Sequence, residues 1–286
     1  MKVLKIIGIV AAIVAIAVIA VLIFGTTDLR TATAKQNTDE KKALSLLDEM
    51  AKAHQIQNWD SIDTYTVRFQ EEMFGLIGKS SNPFPEAKSQ FDLSYIPNTY
   101  DGKLSFVNGP NKDLSWGIQS WKTYTQRAGE APQFTKKKDI YFWVPTYQYF
   151  IEFPLRIMNA NAFGYAGTQT INGVPCEGII ASWNTIEPQR HIDQYLIWIA
   201  ADTKRILKLE YTVREMFNFL TGAAYYTEYK DFEGILLPTK MPVESNLVGK
   251  GKFLHQMDIL GFQKNNIPIS ELRPQSDIKP FGDDKP

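Results

Sequence analysis

The alternation of apolar and polar residues is clearest between positions 163 and 214, where it predicts four consecutive β-strands. These strands are residues 163–171, 174–183, 194–200 and 205–214. The first two flank Asn172-Gly173, a dipeptide that favours a two-residue hairpin turn because both central residues of a type I′ turn have a positive φ. The pattern therefore predicts an antiparallel sheet that begins with a tight hairpin.

The third of these strands is apolar on both faces. Its one face carries Tyr195, Ile197 and Ile199, and its other face carries Leu196 and Trp198. A strand with two apolar faces needs a covering layer, or a ligand, on each of them. The segment best suited to supply a cover for Trp198 lies earlier in the chain.

That segment, residues 141–154, contains seven aromatic residues among its fourteen. Pro145 is suited to the first turn of a helix, where its missing N–H costs nothing. Such a helix places three aromatic side chains near one face, where they pack as ordinary core or line a cavity. The candidate ligand-binding residues are Trp143, Tyr147, Phe150 and Trp198.

Residues 6–24 form an unbroken run of 19 residues without a charge. As a helix this run is about 28 Å long, close to the roughly 30 Å hydrocarbon core of a bilayer. Lys2 and Lys5 precede it and favour a cytoplasmic N-terminus. The pattern predicts a single-pass membrane protein with its main domain outside the cytoplasm. The alternative is a cleaved signal peptide, but the cleavage-like tripeptide at 32–34 lies well beyond the run.

Composition divides the chain into four parts. The prediction is a transmembrane anchor at 1–25, a polar stalk at 26–42, a β-domain at 43–264 and a disordered tail at 265–286. The β-domain begins with an amphipathic helix, and His54 on its apolar stripe is expected to be a core or interface histidine rather than a ligand. The tail is rich in proline and charge.

The chemistry-bearing residues point away from catalysis. Lysine plus arginine equals aspartate plus glutamate, 31 each, which does not favour nucleic-acid binding. Cys176 is the only cysteine, so no intrachain disulfide forms, and no cofactor or metal site is expected from the spacing of the three histidines. The best enzyme-like cluster contains His191 and Asp193 between two strands, and a solvated loop is the simpler interpretation of it.

The order and spacing of several short motifs resemble the lipoprotein-carrier-like superfamily, which includes the periplasmic outer-membrane lipoprotein carrier. The motifs are the strand at 65–70 after the amphipathic helix, the hairpin at 165–176, the strand pair at 195–211 and the pair at 229–238. The resemblance implies a mainly β (α+β) fold: a curved, incomplete antiparallel β-barrel covered by helices, with a hydrophobic concavity that takes acyl chains. A membrane-anchored chain departs from soluble carriers, since it cannot shuttle across a periplasm.

Two hypotheses on the function, of different classes, follow from these observations, and a third is less favoured. The first is a membrane-tethered, non-catalytic domain that binds a lipid or another hydrophobic ligand in the concave sheet. The second is a protein-interaction module with a filled interior and an unknown protein partner. The third is an enzyme that uses the loop around His191. An empty apolar cavity would distinguish the first hypothesis from the second.

Overall fold

The structure is a computed structural model that describes residues 25–36 and 38–281, together with seven positions nearer the N-terminus. The seven positions are Ile7, Ile9, Val10, Ile13, Val14, Ile16 and Val18. They are helical, and their side chains are exposed. Most of the predicted anchor lies outside the described residues, and within the described part no helix is long and apolar enough to cross a bilayer.

In the described part of the chain, fourteen antiparallel strands form a single sheet. They are β1 (Tyr65–Met73), β2 (Lys88–Tyr95), β3 (Gly102–Phe106), β4 (Leu114–Gln119), β5 (Lys122–Arg127), β6 (Gln133–Thr135), β7 (Ala162–Ile171), β8 (Val174–Ser182), β9 (Tyr195–Ala200), β10 (Ile206–Thr212), β11 (Thr221–Tyr225), β12 (Thr227–Phe232), β13 (Ile235–Ser245) and β14 (Phe253–Lys264). Strands β7 to β10 confirm the four strands that the alternation predicts.

Between residues 25 and 281, as far as the structure describes them, six helices accompany the sheet. They are α1 (Ala32–Gln36), α2 (Glu40–Ala53), α3 (Gly75–Ser80), α4 (Lys138–Ile151), α5 (Phe153–Arg156) and α6 (Ile269–Leu272), with 3₁₀ turns at Ile56–Ser61 and Ile157–Asn159. Helices α2 and α4 lie on one face of the sheet and share its main hydrophobic core. The fold is therefore mainly β, with few helices.

The hairpin between β7 and β8 is confirmed. Asn172 has a φ of 50° and Gly173 a φ of 83°, and the flanking residues Ile171 and Val174 pair directly. Both central residues thus occupy the left-handed region that a type I′ turn requires. Nothing lies within 4 Å of a Cβ atom placed at Gly173, so the backbone conformation alone favours glycine there.

Gly173→Val is expected to lower the free energy of unfolding by about 1–3 kcal/mol, because a β-branched residue is strained at a positive φ. Urea denaturation monitored by tryptophan fluorescence measures the change. Thr170→Val, at an exposed strand position two residues before the turn, is the matched control and should leave stability nearly unchanged. Equal stabilities of the two variants would contradict the strained turn.

The sheet order shows how the chain closes the open side. The order is β6-β5-β4-β3-β2-β1-β14-β13-β11-β10-β9-β8-β7, and β12 pairs with β13 off this path. Strands β6 and β7 are the two opposite edges, yet they are consecutive in sequence apart from α4 and α5. The connection from one edge to the other is therefore the helical cover itself.

The contacts of α4 require strong curvature of the sheet. Tyr95 on β2 donates a hydrogen bond to the Val144 carbonyl at 2.8 Å, and the rings of Tyr149 and Tyr195 lie 5.5 Å apart. Strands β2 and β9 are six strand spacings apart in the sheet order, about 29 Å in a flat sheet. Val144 and Tyr149 are only about 7.5 Å apart along the helix axis. The sheet therefore curls around α4 as an incomplete barrel.

The prediction of a stalk is wrong for residues 26–36, because this segment packs against the outer face of the sheet. Thr27 donates its backbone N–H to the Asn218 carbonyl at 3.0 Å, and Leu29 donates to the Gln194 side chain at 3.1 Å. Ala34 in α1 is buried beneath the same strands. The sequence pattern does not indicate this contact, because only two apolar residues of the segment, Leu29 and Ala34, pack against the sheet.

The prediction of a disordered tail is wrong for residues 265–281. Leu272 in α6 is completely buried, and the Arg273 guanidinium pairs with the buried Asp101 carboxylate at 2.5 Å. Gln275 and Gln119 exchange two hydrogen bonds. One apolar side chain and a few specific polar contacts hold this segment, and these are too sparse to give a periodic pattern. Residues 282–286 lie outside the described residues.

Candidate functional site

The aromatic helix begins earlier than the position of Pro145 suggested. Helix α4 starts at Lys138, so Pro145 lies in its interior and cannot donate the N–H that an interior residue normally provides. One turn of the helix is supported instead by the Thr146 hydroxyl, which donates to the Phe142 carbonyl at 2.6 Å. Helix α4 begins with Lys138 and Asp139, and its first apolar residue is Ile140, so hydrophobic periodicity gives little sign of this start.

Three of the four candidate ligand-binding residues lie together on the inner face of α4. Tyr147 is completely buried and its ring is 4.9 Å from that of Phe69 on β1. Phe150 is buried with its ring 5.0 Å from that of Tyr211 on β10. Trp143 is half-buried. The helix thus contacts both halves of the curled sheet through aromatic rings.

Side chains fill the space between α4 and the sheet. The Phe84 ring has its centroid 4.7 Å from that of Phe91 and 5.6 Å from that of Trp116. It also lies 6.0 Å from the Trp143 ring on the helix. These spacings are typical of packed aromatic clusters. The interior of this structure is therefore a packed core. Helix α4, whose aromatic residues were candidates to line a cavity, covers this core.

Trp198 lies on the opposite face of the sheet, so the prediction that the aromatic helix covers it is wrong. It belongs to a second cluster on the outer face, which also contains Ala34 and Leu196. The Trp198 ring lies over Gly178 on the neighbouring strand, where an added Cβ atom would be 2.7 Å from the ring. The segment that covers it is the one that precedes α2, which the sequence did not reveal as part of the domain.

A buried carboxylate and a histidine lie beneath the start of α4. Glu71 on β1 is completely buried, and its Oε1 atom is 2.7 Å from Nδ1 of His255 on β14. The Trp143 ring meets the His255 ring edge-on, with centroids 6.1 Å apart. Burial raises the pKa of the Glu71 carboxyl, while His255 and the Tyr147 hydroxyl oppose this rise.

Sequence reasoning missed this pair, although the pattern contains a signal for it. Alternation places Glu71 on the same face of β1 as Tyr65, Val67 and Phe69, which all face the core. A carboxylate at an inward position of an apolar strand requires a partner. His255 is its partner on the adjacent strand, although the two are 184 positions apart in sequence.

A second buried polar network lies where α4 meets α5. Glu152 accepts hydrogen bonds from the Tyr65 hydroxyl at 2.7 Å and from Gln148 Nε2 at 2.8 Å. Its other oxygen pairs with Arg156 Nε at 2.8 Å, and both side chains are almost completely buried. Burial raises the pKa of the Glu152 carboxyl, and the Arg156 guanidinium opposes the rise. This network ties the end of α4 to β1 through the Tyr65 hydroxyl.

Several polar atoms at this interface, four of which matter here, are buried without a hydrogen-bond partner: besides the hydroxyl oxygens of Tyr147 and Tyr149 there are two more. They are Oε1 of Gln148 on α4 and Nε1 of Trp116 on β4. A buried polar atom that loses its partner costs about 1–3 kcal/mol. The contact between α4 and the sheet therefore retains unsatisfied donors and acceptors among its aromatic rings.

In the loop that contains His191 and Asp193, the Asp193 carboxylate has a structural role. Asp193 Oδ1 accepts from the Thr212 hydroxyl and from the Arg214 backbone N–H, each at 2.8 Å. Burial raises the pKa of this carboxyl, while its bonds to Arg214 and Thr212 oppose the rise. His191 is exposed. Asp193 thus ties the loop to β10 through bonds that do not involve His191.

A groove of about 470 Å³ lies on the outer face of β2 to β5. Its lining is mainly polar and includes Asp92, Lys103, Ser105, Asp113, Ser115, Gln126, Arg127 and Glu271. Its polarity differs from the apolar concavity that the sequence predicted, and it contains none of the four candidate residues.

Comparisons with known proteins give the fold but no close relative. No protein-family model matches the sequence, and no curated protein matches it. Among solved structures, a domain from Vibrio parahaemolyticus that is named for outer membrane lipoprotein sorting is similar over 82% of this chain and 98% of its own, with 10% identity and a TM-score of 0.54. At this identity the likeness shows the fold alone.

Two other solved structures overlap the same region. A LolA superfamily protein from Nitrosomonas europaea has 9% identity and a TM-score of 0.49, and a DUF1329 family protein from Desulfovibrio piger has 10% identity and a TM-score of 0.49. Each covers 80% of this chain and 96% of its own. The chain has a lipoprotein-carrier-like fold, as the resemblance of its motifs predicts.

Proposed function

We propose that this chain, which has the fold of the lipoprotein carriers, is a membrane-tethered domain that binds a lipid or another hydrophobic ligand between its curled sheet and α4. The domain lies on the periplasmic side of the inner membrane and performs no catalysis. The structure described above is its closed form, in which the aromatic side chains of α4 occupy the place of the ligand.

The observation that carries this proposal is the nature of the cover. A single helical segment joins the two opposite edges of the sheet and closes its concave, aromatic face. Because α4 is attached at both ends but lies across the open side, it is able to move outward without breaking any strand pairing. Each methylene of an acyl chain that replaces an aromatic contact contributes about 0.8 kcal/mol of burial.

The polar atoms at the interface support an opening movement. The Gln148 and Trp116 atoms that lack partners in the closed form are free to bond a ligand head group or water in an open one. The Glu71–His255 pair lies beneath Trp143 and becomes accessible when the start of α4 moves. A cover with unsatisfied polar atoms is easier to displace than a fully satisfied core.

Photo-crosslinking in native membranes tests the proposed site with the full chain. p-Benzoylphenylalanine replaces Phe150 on the inner face or Trp198 on the outer face, and the mass of each adduct is then measured. Both native residues are aromatic and buried, at 6% and 3% exposure, so they form a matched pair. The expected result is a lipid adduct at position 150 and none at 198. A second inner-face variant at Tyr147 guards against misfolding of a single variant.

Absence of a lipid adduct at both inner positions, or equal yields on the two faces, would exclude the proposed site. A peptide adduct at position 150 would favour the alternative function, a protein-interaction module. The filled interior of the closed form is the observation that favours that alternative.

His191→Ala is expected to leave the lipid adduct at position 150 intact and to change the free energy of unfolding by no more than about 0.5 kcal/mol, because His191 is exposed. Asp193→Ala is the control within the same loop. It removes two hydrogen bonds and should destabilise the domain by about 1–3 kcal/mol. Loss of lipid adducts in folded His191→Ala would instead support the enzyme hypothesis.

A further inference from the structure

One end of the sheet carries a row of exposed apolar side chains, here called the apolar rim. Its members are Leu76, Ile77, Met216, Phe217, Leu247 and Phe253, which are 40–87% exposed. They come from three separate parts of the chain: α3, the connection from β10 to β11, and the connection from β13 to β14 together with Phe253, the first residue of β14. Single exposed apolar residues are ordinary, but such a row marks an interaction surface.

The strand pairing places all three segments at the same end. Met73, at the end of β1, pairs with His255 near the start of β14. Thr212, at the end of β10, pairs with Thr221 at the start of β11. The third connection follows Ser245, which pairs with Gly222 beside that same start. The antiparallel register thus brings α3 and the two connections to one edge of the curled sheet.

Direct contacts join the segments into one surface. Asn246 Nδ2 donates to the Phe219 carbonyl at 2.7 Å, which links the two connections. The Phe74 backbone N–H donates to the Leu254 carbonyl at 2.9 Å, which links α3 to the start of β14. The Phe217 ring stacks on the Phe219 ring at 5.4 Å, so its exposed position is supported from beneath.

The residues that directly follow the N-terminal apolar run in sequence lie at this same end. Residue 25 follows the run, and Thr27 bonds to Asn218 and Phe219 in the connection that carries Met216 and Phe217. The Arg214 guanidinium donates to the Thr27 carbonyl from the same connection. The start of the domain and the apolar rim are thus fixed to each other.

The charges beside the rim suit an anionic surface. Residues 74–80 and 246–252 contain three lysines, Lys79, Lys250 and Lys252, and no acid. All three lysines are exposed. The segment 214–220 adds Glu215 and the buried Arg214. Exposed apolar side chains among lysines are the combination with which peripheral surfaces bind a bilayer that contains anionic lipid.

We propose that the apolar rim docks on the lipid bilayer, with Phe217 and Leu76 inserted below the head groups and the three lysines among anionic ones. This inference rests on the proposed tethering and is independent of ligand binding beneath α4. It fixes the orientation of the domain: the rim faces the membrane, and the Asn172-Gly173 hairpin at the opposite end of the sheet faces away from it.

Spin labels on the full chain test the docking. Cysteine replaces Phe217, Leu76, Asn172 or Leu260, and the chain is reconstituted into liposomes of phosphatidylcholine with phosphatidylglycerol. Leu260 is the matched control for Phe217, since the two are 51% and 53% exposed but Leu260 lies along β14, away from the rim. Cys176 is buried and remains in place.

The measurement is the accessibility of each label to oxygen, which partitions into lipid, and to a water-soluble nickel chelate. Labels at 217 and 76 should favour oxygen, and labels at 172 and 260 should favour the chelate. Lys250→Gln together with Lys252→Gln should move the label at 217 toward the chelate in the anionic liposomes.

Two outcomes would overturn the proposal. If the chain floats with the liposomes but the label at 217 behaves like those at 172 and 260, the tether stands and the docking is excluded. If the chain does not float with the liposomes, both the tether and the docking are excluded. Neither outcome affects the crosslinking test of the site beneath α4.

Discussion

Arg156→Met is expected to lower the free energy of unfolding by about 3–5 kcal/mol, because it leaves the Glu152 carboxylate buried without its cationic partner. Arg156 also donates to the Thr99 carbonyl and lies over the Tyr100 ring at 4.2 Å. Urea denaturation of the variant and the native chain at pH 7 measures the loss. The effect is large because the pair is buried: the Arg156 and Glu152 side chains are 1% and 0% exposed.

Two controls separate burial from the ion pair as such. Asp48→Ala breaks another pair with the same spacing of four residues, Asp48–Lys52, which is exposed and should contribute little. Glu152→Gln keeps an acceptor for Tyr65 but removes the negative charge, so Arg156→Met should cost less in that background. If Arg156→Met cost as little as Asp48→Ala, the buried pair would not stabilise the attachment of α4.

Acidification below pH 6.5 is expected to destabilise the domain through His54 by about 1.4 kcal/mol for each pH unit. Burial, with a smaller effect of Arg205, lowers the pKa of His54 from 6.5 to about 3. As the pH falls, the His54 imidazole is therefore protonated at a higher pH in the unfolded chain than in the folded one. The contribution of neutral His54 is fully present above about pH 6.5 and is lost progressively toward pH 3.

The environment of His54 explains why it stays neutral. Its Nε2 atom accepts the Ile206 backbone N–H at 3.1 Å, and its ring meets the Tyr229 ring at 5.4 Å. His54→Gln keeps an acceptor for Ile206 but does not titrate, so its stability should fall less steeply between pH 6.5 and 4. His191→Gln, at an exposed position, should keep the native slope. Identical slopes for all three proteins would contradict the buried neutral histidine.

The sequence predicts the elements of this fold whose cause is local. The Asn172-Gly173 turn depends on two backbone angles, and the strands beside it on alternation within ten residues. His54 was expected to be a core or interface histidine because it lies on the apolar stripe of its helix, and it is buried. In each case a few neighbouring residues contain the whole signal.

The arrangement of the candidate site depends on features that no local pattern contains. Tyr147 and Phe150 share a helix face by spacing alone, so their common location was predictable. Trp198 was placed beside them because its face needed a cover, and the cover proved to be residues 29–34. Curvature of the sheet, which decides whether the interior is filled, results from the sum of many strand twists.

The hydrogen bonds between Thr27 and the connection after β10 determine how far the domain can lie from its proposed anchor. With the proposed anchor in the bilayer, no slack chain lies between the membrane and the sheet, because Thr27, Leu29 and Thr31 are all bonded to it. A force that moves the domain away from the proposed anchor would therefore act on these hydrogen bonds together, and no flexible linker would extend first. On the proposed tether, the domain would stay within its own diameter of the membrane, about 50 Å. On the proposed tether and ligand site, a hydrophobic ligand would be exchanged only with a mobile acceptor that comes to the bilayer.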